Sequence, residues 1–381
     1  MPYKTFGFTE EQVLMRDSVL GLLEHVLSPE KIASQDKASQ YPHESFKALA
    51  DAGWLSLPFD EAYGGMGAGY KDFAVFIEAL GYHYPGIRTA YMTTVVYGGL
   101  YIQNLGSEPL KKEFLPPIMK GECRMAVAMT EPQSGSDVAG IRLRATRDGD
   151  GYVLNGQKVY ITNAHESDYI VVAVKTDPKA GRKGISLVIV DTTDPGFEAR
   201  PMDPLGSRST LLNEVFFDNV RVPTSRLLGE ENSGWKGLMQ GLNLERILIA
   251  AAASGQCLKI IETAKQFIED RKAFGKRIAD FQAVAHKFAE MAMMAETARL
   301  HTYNTAELLD AGEDAIQETA MAKVVATENN FKVADLGVHI MGAAGYVQGD
   351  MQRMFRDARL GTIGGATSDI LRNVIAKRMD L

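Results

Sequence analysis

The run that decides the fold is WKGLMQGLNLERILIAAAASGQCLKIIETAKQFIEDRKAFG, residues 235–275. It is long and largely apolar, so it predicts a helix at the centre of a helical bundle. Two further long helical patterns follow at 279–309 and 313–341, and a glycine-rich break at 342–346 precedes a terminal helix. The sequence from residue 233 onward therefore predicts a C-terminal helical domain.

The N-terminal part, residues 8–123, also has helical patterns. Thr9 is the predicted N-cap of the first helix, and the second helix is predicted to end at Gly53. The glycine-rich segment EAYGGMGAGYKD lacks the G-x-G-x-x-G spacing and no strand-forming run precedes it, so we interpret it as a loop rather than a dinucleotide site. The predicted apolar stripe of the first helix is Val13, Val19, Leu20 and Leu23.

Residues 125–230 instead carry short β-branched runs separated by turn signals. Alternation in GYVLNGQKVYIT is typical of strands, and Asn155-Gly156 within it is a strong hairpin signal. We therefore predict a compact β domain, either a barrel or a sandwich. Helices, a β domain and then a bundle make the fold class α+β. The predicted domains are 1–123, 124–232 and 233–381.

The composition excludes several classes of protein. A formal net charge of −7 over 381 residues disfavours nucleic acid and anionic membranes as partners. The two cysteines lie far apart and the seven histidines form no metal-binding pair, so no disulfide framework and no metal site are predicted. No run approaches the roughly 18 uninterrupted apolar residues of a membrane span, and the N-terminal segment MPYKTFGFTEEQ lacks the apolar core of a targeting signal. We therefore predict a cytoplasmic protein without membrane insertion.

Two stretches could contact a flat or phosphate-bearing ligand. AMTEPQSGSDVAG, residues 128–140, offers the hydroxyls of Thr130, Ser134 and Ser136 beside glycines whose backbone N–H groups can be approached closely. In VYITNA, Tyr160 and Thr162 are two residues apart, so they share one face of a strand. Taken alone, each pattern is more typical of an ordinary structure, a capped loop in the first case and a cross-strand surface pair in the second.

A third candidate lies in LNLERILIA, residues 242–250. Leu242, Glu245 and Ile249 recur at helical spacing, so the glutamate lies on an otherwise apolar stripe. An ionised carboxylate there costs on the order of several kcal/mol unless it is paired, solvated or protonated. Arg246 is a poor partner because adjacent helix positions point about 100° apart. We therefore predict a functional role for Glu245, with an ion pair to Arg246 or to a remote lysine as the alternative.

These segments, in this order, resemble the acyl-CoA dehydrogenase family of flavoenzymes along essentially the whole chain. The resemblance implies an N-terminal helical domain, a middle β domain and a C-terminal four-helix bundle. It also implies FAD-dependent α,β-dehydrogenation of an acyl-CoA thioester, with electrons passed to an electron-transferring flavoprotein. The segments that carry the resemblance are AMTEPQSGSDVAG, NGQKVYITNA, ERILIA, RKAFGKRIADFQ, HIMGAAGYVQG and RDARLGTIGGATSDI.

The resemblance further implies which residues hold FAD. Thr130 and Thr162 would hydrogen-bond the flavin ring, Tyr160 would pack against it, and Ser136 would reach the pyrophosphate. The adenine half would be bound by a neighbouring subunit, which implies a homo-oligomer, most often a homotetramer. The family usually has glutamine and two glycines where this chain has His339 and Gly342-Ala343, and the extra methyl group is expected to loosen the contact. The C-terminal positions carried over as FAD contacts are Arg271, Phe274, Gln282, His339, Gly342 and Thr367.

In many members of the family, the base that takes the α-proton is a glutamate in the C-terminal loop. In TIGGATSDIL, residues 362–371, Gly365 occupies that position, and the nearest acid, Asp369, is predicted to begin the next helix. A branch that includes the isovaleryl- and long-chain-type enzymes carries the base on the bundle helix, and Glu245-Arg246 matches that pattern. The resemblance therefore implies that Glu245 is the base, with a pKa raised by burial, and that the Gly365 N–H donates to the thioester carbonyl. Arg246 would support the substrate site.

The substrate is less specified. The segment PGIRTAYMTTVVYGG would line the acyl pocket and offer Thr89, Tyr91 and Thr93. Arg88 falls where the glutaryl-CoA branch holds a substrate carboxylate, which favours a polar, dicarboxylic or ring-bearing acyl group. The alternative is an arginine that points to solvent or pairs with a nearby acid. Two other functions stay open: an enoyl-CoA reductase working in the reverse direction, and a non-catalytic FAD-binding subunit of a hetero-oligomer.

Overall fold

The computed structural model describes residues 7–381, apart from the side chain of Gln240. The first half of the N-terminal segment MPYKTFGFTEEQ, for which no targeting signal is predicted, lies outside this range. The described chain is α+β, as predicted, with helices at both ends and a sheet between them.

The N-terminal part is helical throughout. Thr9 caps the first helix as predicted, in a capping box with Gln12, and Val19 and Leu23 of the predicted stripe are fully buried. Residues 61–72, predicted as a loop, begin with a short 3₁₀ turn at Glu61–Tyr63, continue as a loop over 64–69, and end in the first turn of the helix Tyr70–His83. The helices are α1 (Glu10–Val26), α2 (Pro29–Ala38), α3 (His43–Asp51), α4 (Tyr70–His83), α5 (Pro85–Tyr91), a π-helix (Met92–Gly99), α6 (Leu100–Leu105) and α7 (Glu108–Met119).

The predicted β domain is confirmed as one eight-stranded sheet. Its strands follow the order β6-β7-β3-β2-β4-β5-β8, and β1 pairs in parallel with β4. The end strands β6 and β8 do not pair with each other, so hydrogen bonding does not close the sheet into a barrel. The strands are β1 (Met125–Ala128), β2 (Arg144–Asp148), β3 (Gly151–Thr162), β4 (Tyr169–Lys175), β5 (Ile185–Asp191), β6 (Phe197–Pro201), β7 (Leu212–Pro223) and β8 (Leu227–Leu228).

The predicted hairpin at Asn155-Gly156 is wrong. Both residues lie inside β3, at a bulge where the pairing with β7 shifts register. Gly156 has a φ of +144°, and a Cβ there would lie 3.0 Å from the Cα of Leu143. The glycine therefore serves a close approach between chain segments and a strand bulge rather than a turn. The turn that joins β2 to β3 is instead the one between Asp148 and Gly151.

The C-terminal part is the predicted helical domain, with one correction. The long helix ends at Asp270 rather than continuing to Gly275, because Phe274 and Gly275 both have positive φ and form the tip of a hairpin. The elements are α8 (Gly234–Asp270), β9 (Lys272–Ala273), β10 (Lys276–Arg277), α9 (Gln282–Asp310), α10 (Ile316–Met341), α11 (Ala343–Tyr346), α12 (Asp350–Ala358) and α13 (Ser368–Arg378).

Helix α8 is the centre of the molecule. It is long and apolar enough to cross a membrane, but 78% of its most apolar window is buried inside the protein, as expected for a core helix. It crosses α4 at glycines: a Cβ on Gly255 would lie 2.1 Å from the carbonyl oxygen of Glu78, and one on Gly81 would lie 2.4 Å from that of Ala252. The two backbones therefore approach closely, and one continuous core joins the N-terminal helices to the bundle. The part of α8 that precedes this crossing includes Glu245, and its first turn packs against Ser186 of β5 and Leu105 of α6.

Candidate active site

Glu245 of α8 faces the loop that contains Gly365. Glu245 is 8% exposed, and a Cβ added to Gly365 would lie 3.3 Å from its Oε1 atom. The same Cβ would lie 2.5 Å from the terminal Cδ1 of Ile249, and the φ of Gly365 is +63°. Both the space and the backbone conformation therefore favour glycine at this position. The structure therefore places Glu245 and Gly365, which the sequence analysis had singled out in distant segments, next to each other.

Glu245 has no ion pair within the described chain; its partner is a tyrosine. The phenol of Tyr97 donates a hydrogen bond to Oε1 at 3.0 Å. Burial raises the pKa of Glu245, while the hydrogen bond from Tyr97 and the charges of Arg246 and Lys323 oppose that rise. Arg246 is buried, and its Nε atom has no hydrogen-bond partner among the described residues. This confirms that Arg246 does not neutralise Glu245 by a direct ion pair.

Lys323 of α10 holds the glycine loop in place. Its side chain is fully buried and its Nζ donates to the carbonyl oxygen of Ala366 at 2.8 Å. Burial lowers the pKa of Lys323 to about 8. Ala366 has a φ of +75°, directly after the positive φ of Gly365, so the loop contains two successive left-handed residues. The Gly365 N–H donates to no other described residue, which leaves a backbone donor beside Glu245.

The predicted flavin-contacting side chains lie near the C-terminal end of β3. Thr130 follows β1, and its carbonyl oxygen accepts from Val159 of β3, which brings the loop of Thr130 and Ser136 beside Tyr160 and Thr162. None of these four side chains hydrogen-bonds to another described residue, and all four are at least partly exposed. Tyr160 is 58% exposed and has a φ of +60° in the second bulge of β3, so strict strand alternation does not explain its direction. An exposed aromatic ring beside three free hydroxyls fits a flat, polar ligand.

A buried ion pair holds the loop 128–140, which contains Thr130 and Ser136, against β3. Lys158 and Glu131 are fully or almost fully buried, with 2.9 Å between Nζ and Oε1. The Glu131 carboxylate also accepts from the backbone N–H groups of Arg142 and Leu143. Every oxygen of Glu131 is therefore satisfied, which a buried carboxylate requires. The predicted ligand loop is thus ordered by internal charges, and its outward hydroxyls remain available.

The predicted adenine-side residues form a separate, exposed group. Phe274 is 95% exposed at the tip of the β9–β10 hairpin. Thr367 differs from the others because its hydroxyl oxygen caps α13 by accepting from the Ile370 N–H at 3.3 Å. Asp369 lies in the first turn of that helix, as predicted, and its side chain is exposed. The exposed residues of the group are Arg271, Phe274, Gln282, His339, Gly342 and Ala343.

Arg88 lines a polar cavity next to Glu245 along α8. The cavity also contacts Ile249, one helical turn beyond Glu245, and Asp357 of α12. Arg88 forms no ion pair with any described residue, its Nε lacks a hydrogen-bond partner, and its Nη1 lies 3.8 Å from the sulfur of Met92. Asp357 is buried, its Oδ1 accepts from the Ser207 N–H at 2.7 Å, and burial raises its pKa to about 6. Arg88 therefore neither points freely to solvent nor makes a direct salt bridge in the described chain.

Three other predicted pocket residues are placed elsewhere. Tyr91 has no exposed surface, its ring packs against Phe73 and Phe76, and its hydroxyl donates to the carbonyl of Trp54, so the prediction that it lines the pocket is wrong. The hydroxyl of Thr89 donates to the Pro85 carbonyl, and that of Thr93 donates to the Ala90 carbonyl. Both threonines are buried and outside the cavity of Arg88, so neither has a free hydroxyl proton to offer a substrate.

Sequence reasoning missed Tyr97 and Lys323. Lys323 lies in the apolar run AMAKVVA, and the argument that singled out Glu245 on an apolar stripe applies equally to it. Tyr97 lies in the segment quoted for the acyl pocket, but the π-helix changes which of its side chains face α8. α-Helical spacing places Arg88 and Tyr97 about 180° apart, whereas in the structure the two side chains lie within electrostatic range of each other. No simple sequence pattern signals that change of register.

Sequence profiles of three domains match the chain in order. The N-terminal, middle and C-terminal domains of acyl-CoA dehydrogenase match residues 9–122, 126–220 and 232–380. The cyclohex-1-ene-1-carbonyl-CoA dehydrogenase of Geobacter metallireducens is 36% identical, over 97% of this chain and 98% of the relative. The caffeyl-CoA reductase-Etf complex subunit CarC of Acetobacterium woodii is 32% identical, over 97% and 98%. Among solved structures, an acyl-CoA dehydrogenase from Geobacillus kaustophilus superposes with a TM-score of 0.94 at 34% identity, covering 99% of this chain and 100% of that one.

Proposed function

The chain belongs to the acyl-CoA dehydrogenase family of flavoprotein oxidoreductases, and we propose that it removes hydrogen from Cα and Cβ of an acyl-CoA thioester, with Glu245 taking the α-proton. The observation that carries this proposal is the buried Glu245, which faces Gly365 and has no ion pair among the described residues. Burial raises the pKa of its carboxyl, so it is a stronger base than a solvated glutamate. No other described carboxylate faces the glycine loop at this distance.

The cofactor of the family is FAD, and the residues of this chain fit it. When bound, FAD accepts the hydride that leaves the β-carbon. Thr130 and Thr162 would donate to the flavin ring, Tyr160 would cover it, and Ser136 would bind the pyrophosphate. Their free hydroxyls and the exposed Tyr160 ring support this assignment.

The loop opposite Glu245 would stabilise the charge that develops on the thioester oxygen. As the α-proton leaves, negative charge accumulates on that oxygen, and a preorganised N–H donor lowers the barrier. The unpartnered N–H of Gly365 supplies such a donor. Lys323 keeps the loop in position through the Ala366 carbonyl. Arg246, buried beside Glu245, would support the substrate site by its charge.

Arg88 would select the acyl group. A half-buried guanidinium without a salt bridge is costly unless a ligand or a solvated cavity compensates it. The cavity that Arg88 shares with Asp357 has a volume of about 20 Å³, which holds about one water molecule. A polar, dicarboxylic or ring-bearing acyl chain would have to widen it to bring a carboxylate or another acceptor to Arg88. Asp357 is the competing partner within the chain, because its charge also acts on Arg88.

Partners follow from the same assignment. The exposed Arg271, Phe274, Gln282 and His339 would contact the adenine half of FAD bound by a second copy, which supports a homo-oligomer, most often a homotetramer in this family. Electron-transferring flavoprotein would accept the electrons, in a cytoplasmic reaction, and the name of the Acetobacterium relative includes such a partner. Ala343, exposed at the start of α11, is the position where this contact would be weaker.

The second candidate is reduction of an enoyl-CoA in the reverse direction. The same base and flavin site would serve, with Glu245 returning the proton to the α-carbon. The relative named as a caffeyl-CoA reductase subunit favours keeping this candidate. A non-catalytic FAD-binding subunit is the third, and the intact pairing of Glu245 with the Gly365 loop opposes it.

The test is anaerobic flavin bleaching by the purified protein across a panel of acyl-CoAs, including dicarboxylic and alicyclic ones, and re-oxidation of the reduced protein by the matching enoyl-CoAs. Wild type should contain FAD and be bleached by at least one substrate. Glu245→Gln should retain FAD and lose bleaching. Near-normal bleaching by Glu245→Gln would show that the base is elsewhere, and a protein with FAD that reacts with no thioester would favour the non-catalytic subunit.

A further inference from the structure

The hydroxyl of Tyr97 is the only hydrogen-bond partner of the Glu245 carboxylate among the described residues. The bond runs from the π-helix Met92–Gly99 of the N-terminal domain to α8 of the bundle. π-Helical turns are rare and occur mainly where a side chain must be redirected, often at functional sites. Here the π-helix directs Tyr97 toward the candidate base.

Tyr97 cannot itself be the acid or base of the reaction. Burial and the nearby Glu245 charge raise the pKa of its phenol well above the ordinary value, so it remains protonated. A protonated phenol donates and a carboxylate accepts, so the bond exists in this form only while Glu245 is ionised. The bond therefore stabilises the form of Glu245 that can take a proton, and it also restrains the carboxyl group to one orientation.

We propose that Tyr97 is a positioning residue that keeps Glu245 ionised and oriented for removal of the α-proton. The proposal rests on Glu245 being the base and adds a residue that the family resemblance did not supply. Without the phenol, burial would favour the protonated carboxyl, which cannot act as a base. A phenol that only packed against α8, without donating to the carboxylate, would not affect the titration of Glu245.

Other charged groups also act on Glu245, and they remain in place when Tyr97 is changed. Arg246 lies next to it on α8, Lys323 faces it from α10, and both favour the carboxylate. Arg88 of α5 lies within electrostatic range of Tyr97. The glycine loop contributes no titratable side chain between residues 360 and 368. Removing the phenol oxygen of Tyr97 therefore separates its contribution to the ionisation of Glu245 from the contributions of these charged groups.

Tyr101 provides the matched control. It lies one turn further along the same segment, is 5% exposed, and its hydroxyl has no hydrogen-bond partner in the described chain. It packs against α8 one turn before Glu245, since a Cβ on Gly241 would lie 2.7 Å from its hydroxyl oxygen. Tyr101→Phe thus removes a phenol oxygen from the same segment, also facing α8, without breaking a hydrogen bond to Glu245.

The experiment measures the rate of anaerobic flavin reduction in the holoenzyme from pH 5.5 to pH 9.5, for wild type, Tyr97→Phe and Tyr101→Phe. Loss of a hydrogen bond to a charged group should raise the apparent pKa of the acidic limb by about one pH unit. At pH values below the wild-type apparent pKa, the rate of Tyr97→Phe should be about tenfold lower than that of wild type. At high pH the two rates should converge. Tyr101→Phe should leave the limb unchanged. Infrared difference titration of the carboxyl band, identified with Glu245→Gln, should show the same shift.

An unshifted limb in Tyr97→Phe, or an equal shift in both variants, would overturn the proposal. If Tyr97→Phe does not fold, site-specific replacement of Tyr97 by 3-fluorotyrosine decides the question, because this more acidic phenol is the stronger donor and should move the limb to lower pH. No movement, or movement upward, would refute the proposal. Failure of the proposed function is distinguishable, because Glu245→Gln would then keep its activity whatever Tyr97 does.

Discussion

Replacing Gly365 by alanine tests the active-site geometry most directly. The new Cβ would lie 2.5 Å from the Cδ1 of Ile249 and 3.3 Å from the Oε1 of Glu245, at a φ of +63°. The Ile249 methyl group can rotate away at little cost because it is the end of a flexible side chain. The Glu245 oxygen must move by a few tenths of an ångström, and the left-handed backbone costs about 1 kcal/mol for alanine.

These two effects predict different magnitudes for rate and stability. A displacement of about 1 Å at a reacting group can cost about 100-fold in rate, so a few tenths of an ångström should cost about three- to tenfold. Stability should fall by about 1 kcal/mol, which lowers the melting temperature by about 1–3 °C. FAD content should be unchanged, because the clash is with the base and not with the sheet that holds the flavin-contacting hydroxyls.

The neighbouring glycine supplies the control. A Cβ on Gly364 would meet only Leu360, at 3.7 Å from its carbonyl oxygen and 4.0 Å from Cδ1, which is ordinary contact. Gly364→Ala should therefore keep wild-type rate. The assay is stopped-flow flavin reduction with the substrate that bleaches wild type best, beside FAD content and thermal unfolding. Equal rates for Gly365→Ala and Gly364→Ala would refute the reasoning, as would a loss of rate that follows loss of FAD.

Three other predictions follow from groups around the site. Arg88→Ala should reduce kcat/KM for acyl-CoAs with a carboxylate or polar acyl group at least tenfold more than for simple alkyl substrates, and an equal loss across the panel would exclude a role in substrate choice. Burial raises the pKa of Asp357 to about 6, so its contribution to stability is greatest below about pH 4 and is lost as the pH rises to about 6, by about 3 kcal/mol. Asp357→Asn keeps an acceptor for the Ser207 N–H, and its melting temperature should exceed that of wild type at pH 8 with a smaller difference at pH 5; an advantage independent of pH would contradict this. Lys323→Met removes the donor to the Ala366 carbonyl and should lower stability by about 1–3 kcal/mol and slow flavin reduction, whereas unchanged rate and melting temperature would show that the loop does not depend on the lysine.

The sequence predicted best those structural features that depend on interactions between residues close together in the chain. Thr9 caps its helix because the side chain reaches the nearest backbone N–H groups. The hairpin predicted at Asn155-Gly156 failed because tertiary contact with Leu143 decided the conformation of Gly156. The end of α8 failed for a related reason: Phe274 has a positive φ, which no propensity of phenylalanine predicts. Local rules held until another segment of the chain determined the backbone.

In the candidate site, the sequence indicated which residues are unusual but not always which way their side chains point. Glu245 was found because a carboxylate on an apolar helix demands an explanation, and Gly365 because a family position lacked its acid. The argument for Glu245 needed only regular α-helical spacing, which α8 has at this point, and the argument for Gly365 needed no helix geometry. Tyr97 was missed because its relevance depends on the π-helix, which redirects one face of a segment by changing the number of residues per turn. A helix register that departs from the α-helix therefore decides here which phenol reaches the base. The protonation of Glu245 therefore depends on a residue of the N-terminal domain, Tyr97, as well as on the residues of α8.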